Sequence, residues 1–324
     1  MVRKILEEVV RAPAVTLEKG IEEVEYLGKA LISKKPFKLA EEYWNTLGPG
    51  LTTGASDDDP SGIATYSQAG AQYGPQLLWM ALYTFPLMAV VQEMCARIGL
   101  VTGQGLAANI RKHYSRKVLY GCTVLLFVAN TVNIGADLGM MAKATQLILP
   151  RLPFNLLIIG FVLVSLFLQI FTTYARYAKY LKYLALVLVA YIITALLIPM
   201  DWGRVAWATL IPSLTFSREQ IYLVCGILGT TISPYLFFWQ TSQEVEEEIL
   251  SGKTSIRERL GTTPQEVKKM RTDVWSGMFF SNVVMFFIIA VCSAVLWTRG
   301  VTTITSAADA ALALRPFAGD MEED

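Results

Sequence analysis

Three consecutive aspartates, Asp57, Asp58 and Asp59, stand inside GPGLTTGASDDDPSGIATYSQAGA, a stretch that otherwise has the length and flanks of a membrane span. A carboxylate near a bilayer midplane costs at least about 2.5 to 3.5 kcal/mol, so such an acid is a functional candidate by default. The helix must also break here. Gly48, Gly50, Gly54 and Gly62 are poor helix formers, and Pro60 lacks an N–H and clashes with the preceding turn. Asp59 reads as the N-cap of a second half-helix, with Pro60 at its first position. The first half-helix is expected to end around Ser56, leaving carbonyl oxygens without intrahelical partners. Free carbonyls beside an acid, where nothing else satisfies them, describe a cation site.

A second interruption lies far downstream, where Thr230, Thr231, Ser233 and Pro234 fall about halfway along LVCGILGTTISPYLFFWQTSQEVEEE. One proline kink in a membrane helix means little. Two broken helices in corresponding positions of two halves point to a midplane substrate site in an inverted-repeat transporter. Between them, Asn130, Asn133 and Asp137 recur at spacings of three and four residues on one helical face. Such a polar stripe in an apolar helix faces either the bundle interior and a wet pathway or a neighbouring helix that it binds.

These residues need a scaffold that crosses a bilayer, and the composition supplies one. The 324 residues are 53% hydrophobic and 17% charged, too apolar for an ordinary soluble domain and fitting an all-α polytopic membrane protein. The net charge of +1 gives no reason to expect nucleic acid. Cys95, Cys122, Cys225 and Cys292 sit in or beside apolar runs without metal or disulfide spacing. Runs of spanning length fall at 46–70, 75–96, 118–142, 153–172, 180–199, 220–242 and 274–297. Lys and Arg outside them lie mostly in the N-terminal segment and in the loops after spans two, four and six, which places the N-terminus in the cytoplasm. Residues 1–42 carry apolar residues at helical spacing and read as an amphipathic cytosolic extension. Spans two, four, five and seven read as scaffold, Ser281 and Asn282 of span seven serving as an interhelical hydrogen bond.

The chain resembles the Nramp divalent-metal transporters over about residues 46–320. The likeness rests on GPG followed by Asp-Pro, on IATYSQAGA after the break, on QEMCARIGLVTGQGLA at the end of span two, and on ALRPFAGD after span seven. It implies a LeuT-like inverted-repeat fold, with a first five-helix repeat over 43–200 and a partial second repeat over 218–324. The second repeat is incomplete, and the chain reads as truncated after its seventh span. The departures from the family pattern concern the site. The family's Asp-Pro-Gly-Asn stands here as Asp59-Pro60-Ser61-Gly62, so the acid is kept and the amide is lost. Its Met-Pro-His stands as Ser233-Pro234-Tyr235, and a second histidine is replaced by Gln240. On span three, Asp137 matches, while Asn130 and Met140 stand where the family has glutamates.

The resemblance with these departures implies divalent-cation transport by alternating access, with neither enzymatic activity nor a resident cofactor. The ligands expected are the Asp59 carboxylate, the Ser56 carbonyl, Thr230 and, through water, Ser233. Asp57, Asp58, Gly62, Tyr235, Gln240, Asn130 and Asp137 are expected along the pathway or around the ligands. Without a thioether, an oxygen site suits Mg²⁺, and among transition metals Mn²⁺. Mg²⁺ with weak or absent proton coupling is the first reading, closest to the magnesium-transporting branch related to Nramp. Proton-coupled Mn²⁺ or Fe²⁺ transport is the second. A non-transporting metal sensor and an intramembrane aspartyl protease, in which two carboxyls share a proton, stand further off. The expected setting is a bacterial inner membrane, with the chain as a monomer whose partners are the bilayer and the ion.

Overall fold

A computed structural model of the chain describes residues 46–302 continuously, with Lys38, Glu41, Tyr43 and Trp44 before them. The apolar pattern from Ile5 to Leu31 and the ALRPFAGD segment lie outside the described residues. The chain divides into two units, Met1–Leu47 and Gly48–Asp324, and the second carries the fold.

That unit is helical throughout its described part. The first expected span is two short helices, α1 (Pro49–Asp57) and α2 (Pro60–Tyr73), followed by α3 (Trp79–Thr102) and a surface helix α4 (Leu106–His113). Then come α5 (Arg116–Ile148), α6 (Phe154–Phe171), α7 (Tyr174–Leu184), α8 (Val189–Leu197) and a short α9 (Trp202–Leu210). The second interrupted helix is α10 (Arg218–Thr231) and α11 (Pro234–Leu250), and α12 (Pro264–Val295) closes the series.

Among the described residues six helical segments are long and apolar enough to cross a membrane: 79–102, 116–148, 154–171, 178–197, 218–250 and 264–299. The expected span at 46–70 is not one of them, because the break after Asp57 leaves two pieces of 9 and 14 residues. The last span begins ten residues earlier than its apolar run. Thr263 and Glu266 form a reciprocal capping box with Pro264 at the first helical position, so the helix starts in the polar loop and runs on into the membrane.

The α12 helix is the strut on which both pieces of the first span are mounted. Most of its inner length is buried, and Val284, Met285, Ile288 and Ile289 pack with Tyr66, Leu77 and Ile227 in the main apolar core. The α1 helix meets it backbone to backbone. A Cβ on Gly277 would stand 2.0 Å from the Gly50 carbonyl oxygen, and one on Gly54 would stand 2.2 Å from that of Gly277. Higher up, a Cβ on Gly70 of α2 would stand 2.4 Å from the Ile289 carbonyl oxygen. Small residues that let helix backbones touch are the usual route to tight association in a bilayer, where apolar side chains gain little by leaving lipid.

Span seven therefore does more than the scaffold role expected of it. Asp273, buried on α12, accepts from the backbone N–H of Gly48 (2.7 Å), Gly50 (2.7 Å) and Leu51 (3.2 Å). An anion at a helix N-terminus satisfies donors that have no partner within the helix and complements the helix dipole. Nothing local could do this, since Gly48 has no side chain to cap α1. Inserting a methyl at the closest contact is overpacking that costs about 1 to 3 kcal/mol. Gly277→Ala is accordingly expected to lower the thermal unfolding midpoint in detergent by several degrees, whereas Gly139→Ala, whose Cβ would meet nothing within 4 Å, should leave it unchanged.

Candidate functional site

Each break exposes helix ends that the apolar surroundings leave unsatisfied, and the local residues close them differently. Asp59 caps α2 as the sequence predicts: its Oδ1 accepts from the Gly62 N–H (2.7 Å) and from the Ser61 hydroxyl (2.7 Å), with Pro60 in the first turn. The α1 helix runs one residue further than expected, to Asp57, with Asp58 as its C-cap. The carbonyl that faces the gap is consequently that of Asp57. Ser56, whose backbone carbonyl is the expected ligand, lies one residue before the end of α1, and its hydroxyl donates to the Thr52 carbonyl (2.9 Å). At the second break the Ser233 hydroxyl donates to the carbonyls of Gly229 (2.8 Å) and Thr230 (2.5 Å). Ser233 thus closes the end of α10.

The two breaks meet. Tyr235, in the first turn of α11, donates its hydroxyl to Asp59 Oδ2 at 3.1 Å. Gly62 also lies between them. A Cβ there would stand 2.9 Å from the Asp57 carbonyl oxygen, 3.2 Å from Thr230 Oγ1 and 3.4 Å from Asp59 Oδ1. Three oxygens from both interrupted helices therefore surround a place where this chain carries no side chain. Thr230 Oγ1 is buried and has no hydrogen-bond partner.

The stripe on α5 completes one wall. Asn133 donates its amide to Asp59 Oδ2 (3.0 Å) and to Asp137 Oδ2 (3.2 Å), and its carbonyl oxygen lies 2.9 Å from the Ser61 hydroxyl. Asp137 Oδ1 accepts from the Ser61 N–H at 3.1 Å. Asn130, expected on the same face, enters none of these bonds. The Asn133 amide stands between the Asp59 and Asp137 carboxylates, whereas the carboxyls of an aspartyl protease share a proton directly. Ser61 ties the network to the α2 N-terminus, and its type and spacing alone gave no signal of that role.

Asp57 and Asp58 are buried behind the break. Asp57 Oδ2 accepts from Ser281 of α12 at 3.0 Å, and neither Asp58 oxygen has a hydrogen-bond partner. Ser281 makes an interhelical bond, as expected, but to an aspartate of the site. Gln240 lies further along α11, fully buried, with its amide on Glu244 Oε1 at 2.8 Å. Among the described residues no three His, Cys, Asp or Glu side chains come together as a metal cluster. A cation seated here would be held by one or two carboxylates, carbonyls, hydroxyls and its own water.

The Nramp family model, described as natural resistance-associated macrophage protein-like, matches residues 50–323. The chain belongs to the Nramp family. Its fold matches the manganese transporter of Eremococcus coleocola in complex with an aromatic bis-isothiourea substituted compound, with a TM-score of 0.62 and 18% identity over 85% of this chain. A single-residue variant of the same transporter gives a TM-score of 0.63 at 19% identity, again over 85% of this chain. This chain covers 62% of the length of each. The likeness is one of fold, and it makes the pair of interrupted helices part of the LeuT-like architecture of this Nramp chain.

The geometry at Gly62 makes a direct prediction. Gly62→Ala places a methyl among the three oxygens, and Mn²⁺ affinity by titration calorimetry is expected to fall at least about tenfold, or roughly 1.4 kcal/mol, with α2 still capped by Asp59. Undiminished affinity would remove these oxygens from the site.

Proposed function

We propose that this chain moves hard divalent cations across a bilayer by alternating access, holding the ion between the two interrupted helices. The observation that carries the reading is the convergence of the Asp57 carbonyl, the Asp59 carboxylate and the Thr230 hydroxyl on Gly62, with no sulfur or imidazole among them. Carboxylate, carbonyl and hydroxyl oxygens suit Mg²⁺ and Mn²⁺ better than softer metals. Mg²⁺ keeps several waters and takes one or two carboxylates. The donor set, one carboxylate with a carbonyl and a hydroxyl, is of the kind Mg²⁺ takes alongside its own water, and this supports Mg²⁺ as substrate.

A second reading, proton-coupled Mn²⁺ or Fe²⁺ transport, is favoured by the family match and by the manganese transporters whose fold the chain shares. Its proton path would need titratable partners along α5, where Asn130 and Met140 offer none and Asp137 stands alone. Weak or absent coupling is the reading these residues support. We place the N-terminus in the cytoplasm on the distribution of Lys and Arg, so that α1 and α11 form the inner half of the site and α2 and α10 the outer half.

Three measurements on the chain in proteoliposomes test this proposal. Asp59→Ala is expected to abolish Mn²⁺ influx read by a fluorescent dye, and undiminished influx would overturn the assignment. Millimolar Mg²⁺ should compete with Mn²⁺, whereas a transition-metal site would ignore it. An internal pH dye should stay flat during uptake, and acidification that tracks the metal would establish coupling instead. Binding without flux in the unaltered chain would favour a sensor.

A further inference from the structure

The end of α3 and the start of α12 bring two guanidinium groups to a single carboxylate. Glu93 of α3 is buried and accepts from the Trp275 indole N–H at 2.6 Å. It also pairs with Arg271 of α12 at 3.2 Å and with Arg97 one turn along its own helix. The Arg97 and Arg271 side chains nevertheless remain 50% and 60% exposed, and each has five N–H donors of which Glu93 takes a minority. Lys268 stands exposed one turn before Arg271 on α12 and adds a third cation. No second acid balances them. Glu266 pairs with Lys253 at 3.0 Å, and Asp273, two residues and so about 200° round α12 from Arg271, is engaged with the N-terminus of α1.

An apolar groove leads away from these cations along the seam of α3 and α12. Trp275, Phe279, Asn282 and Phe286 follow Arg271 at steps of four, four, three and four residues, which keeps them on one face of α12. Phe85 of α3 lines the seam, edge-on to Trp275 (ring centroids 5.7 Å apart) and to Phe279 (5.6 Å). Beyond them the seam opens into a cavity of about 140 Å³ lined by Leu82, Phe85, Thr209, Phe279, Val283 and Phe286. An apolar cavity of about 150 Å³ is enough to take a benzene ring. Leu82 and Phe279 are exposed at its mouth. From Arg271 the cavity lies about 12 to 22 Å along α12 at 1.5 Å per residue. Its near end therefore falls within the depth of one leaflet, about half of a hydrocarbon core of roughly 30 Å.

We propose that this seam binds an anionic phospholipid, its phosphodiester on Arg97, Arg271 and Lys268 and one acyl chain running past Trp275 into the cavity. Charge decides the headgroup. Three cations against one carboxylate favour a lipid of net negative charge, whereas a zwitterionic headgroup brings its own ammonium among them. Guanidinium groups grip phosphate oxygens through paired N–H donors, and basic pockets between membrane helices recognise anionic headgroups. Trp275, between the cations and the apolar groove, has the amphipathic ring that suits a membrane–water boundary. A free phosphate would leave the groove unused, and a second copy of the chain would set like charges against these. None of the proposed ion ligands lines the seam, so this site does not depend on the transport reading.

Native mass spectrometry of the purified chain in detergent, titrated with dioleoyl phosphatidylglycerol or dioleoyl phosphatidylcholine, counts bound lipid directly. The first phosphatidylglycerol is expected to bind at least about tenfold more tightly than phosphatidylcholine. Arg97→Gln combined with Arg271→Gln should abolish that preference. Glu93→Gln, which releases both guanidinium groups, should instead tighten phosphatidylglycerol several-fold, a gain that no folding defect produces. Val283→Phe fills the cavity, and it should weaken both lipids while leaving the preference between them. Equal binding of the two lipids by the unaltered chain, a preference that survives loss of both arginines, or no gain in Glu93→Gln would overturn the site. So would either of two further results. Inorganic phosphate that displaces the lipid, together with undiminished lipid binding in Val283→Phe, would reduce the seam to a phosphate site. A dimer that Val283→Phe disperses would give the groove to a second copy of the chain.

Discussion

A helix broken inside a bilayer has ends that no solvent satisfies, and the rest of this structure follows from how they are closed and held in place. Both halves of the first span rest on one unbroken helix, α12. The lower half touches it through Gly50, Gly54 and Gly277, and the upper half through Gly70. Asp273 fixes where the lower half begins by accepting from three of its first amides. With both halves anchored, the gap between Asp57 and Pro60 is held open at a defined height. The second interrupted helix then comes close enough for Tyr235 to reach Asp59.

Inside the gap, the same residues do structural and chemical work. Asp59 caps α2 with one oxygen and receives Asn133 and Tyr235 on the other, so its position is set from three helices. Ser233 closes the end of α10 and leaves the Thr230 hydroxyl without a partner. Hydrogen bonds that hold a carboxylate in one orientation also keep it ready for a cation. The cost of burying it would fall if a cation bound there. On the proposed reading the site needs few ligands, because the helices supply positioned oxygens and the ion's own water would supply the rest.

Much of this was legible in the residues. Asp59-Pro60 as cap and first turn, the break before Pro234 and the common face of Asn133 and Asp137 all follow from local rules of helix geometry and appear in the structure as read. What was not legible depends on partners remote in sequence. Asp273 reads as one charge in a polar helix start, and only folding brings it to residues more than 220 positions away. Ser233 has the right chemistry for a ligand, but its hydroxyl is close enough to the last carbonyls of α10 to bond there. Ser61 is similar, because its role depends on α5 lying beside it. Gly62 could be read only as a missing amide. That three oxygens converge on it requires both interrupted helices at once.

The central claim is that the ion sits among oxygens alone, contributed by two interrupted helices. Mn K-edge X-ray absorption on the Mn²⁺-loaded chain tests it most directly, since the coordination shell reports ligand type whether or not transport occurs. The account predicts a shell of oxygen only, which loses its protein-derived outer scattering in Asp59→Ala. A sulfur in the shell, or the multiple-scattering pattern of an imidazole, would contradict it.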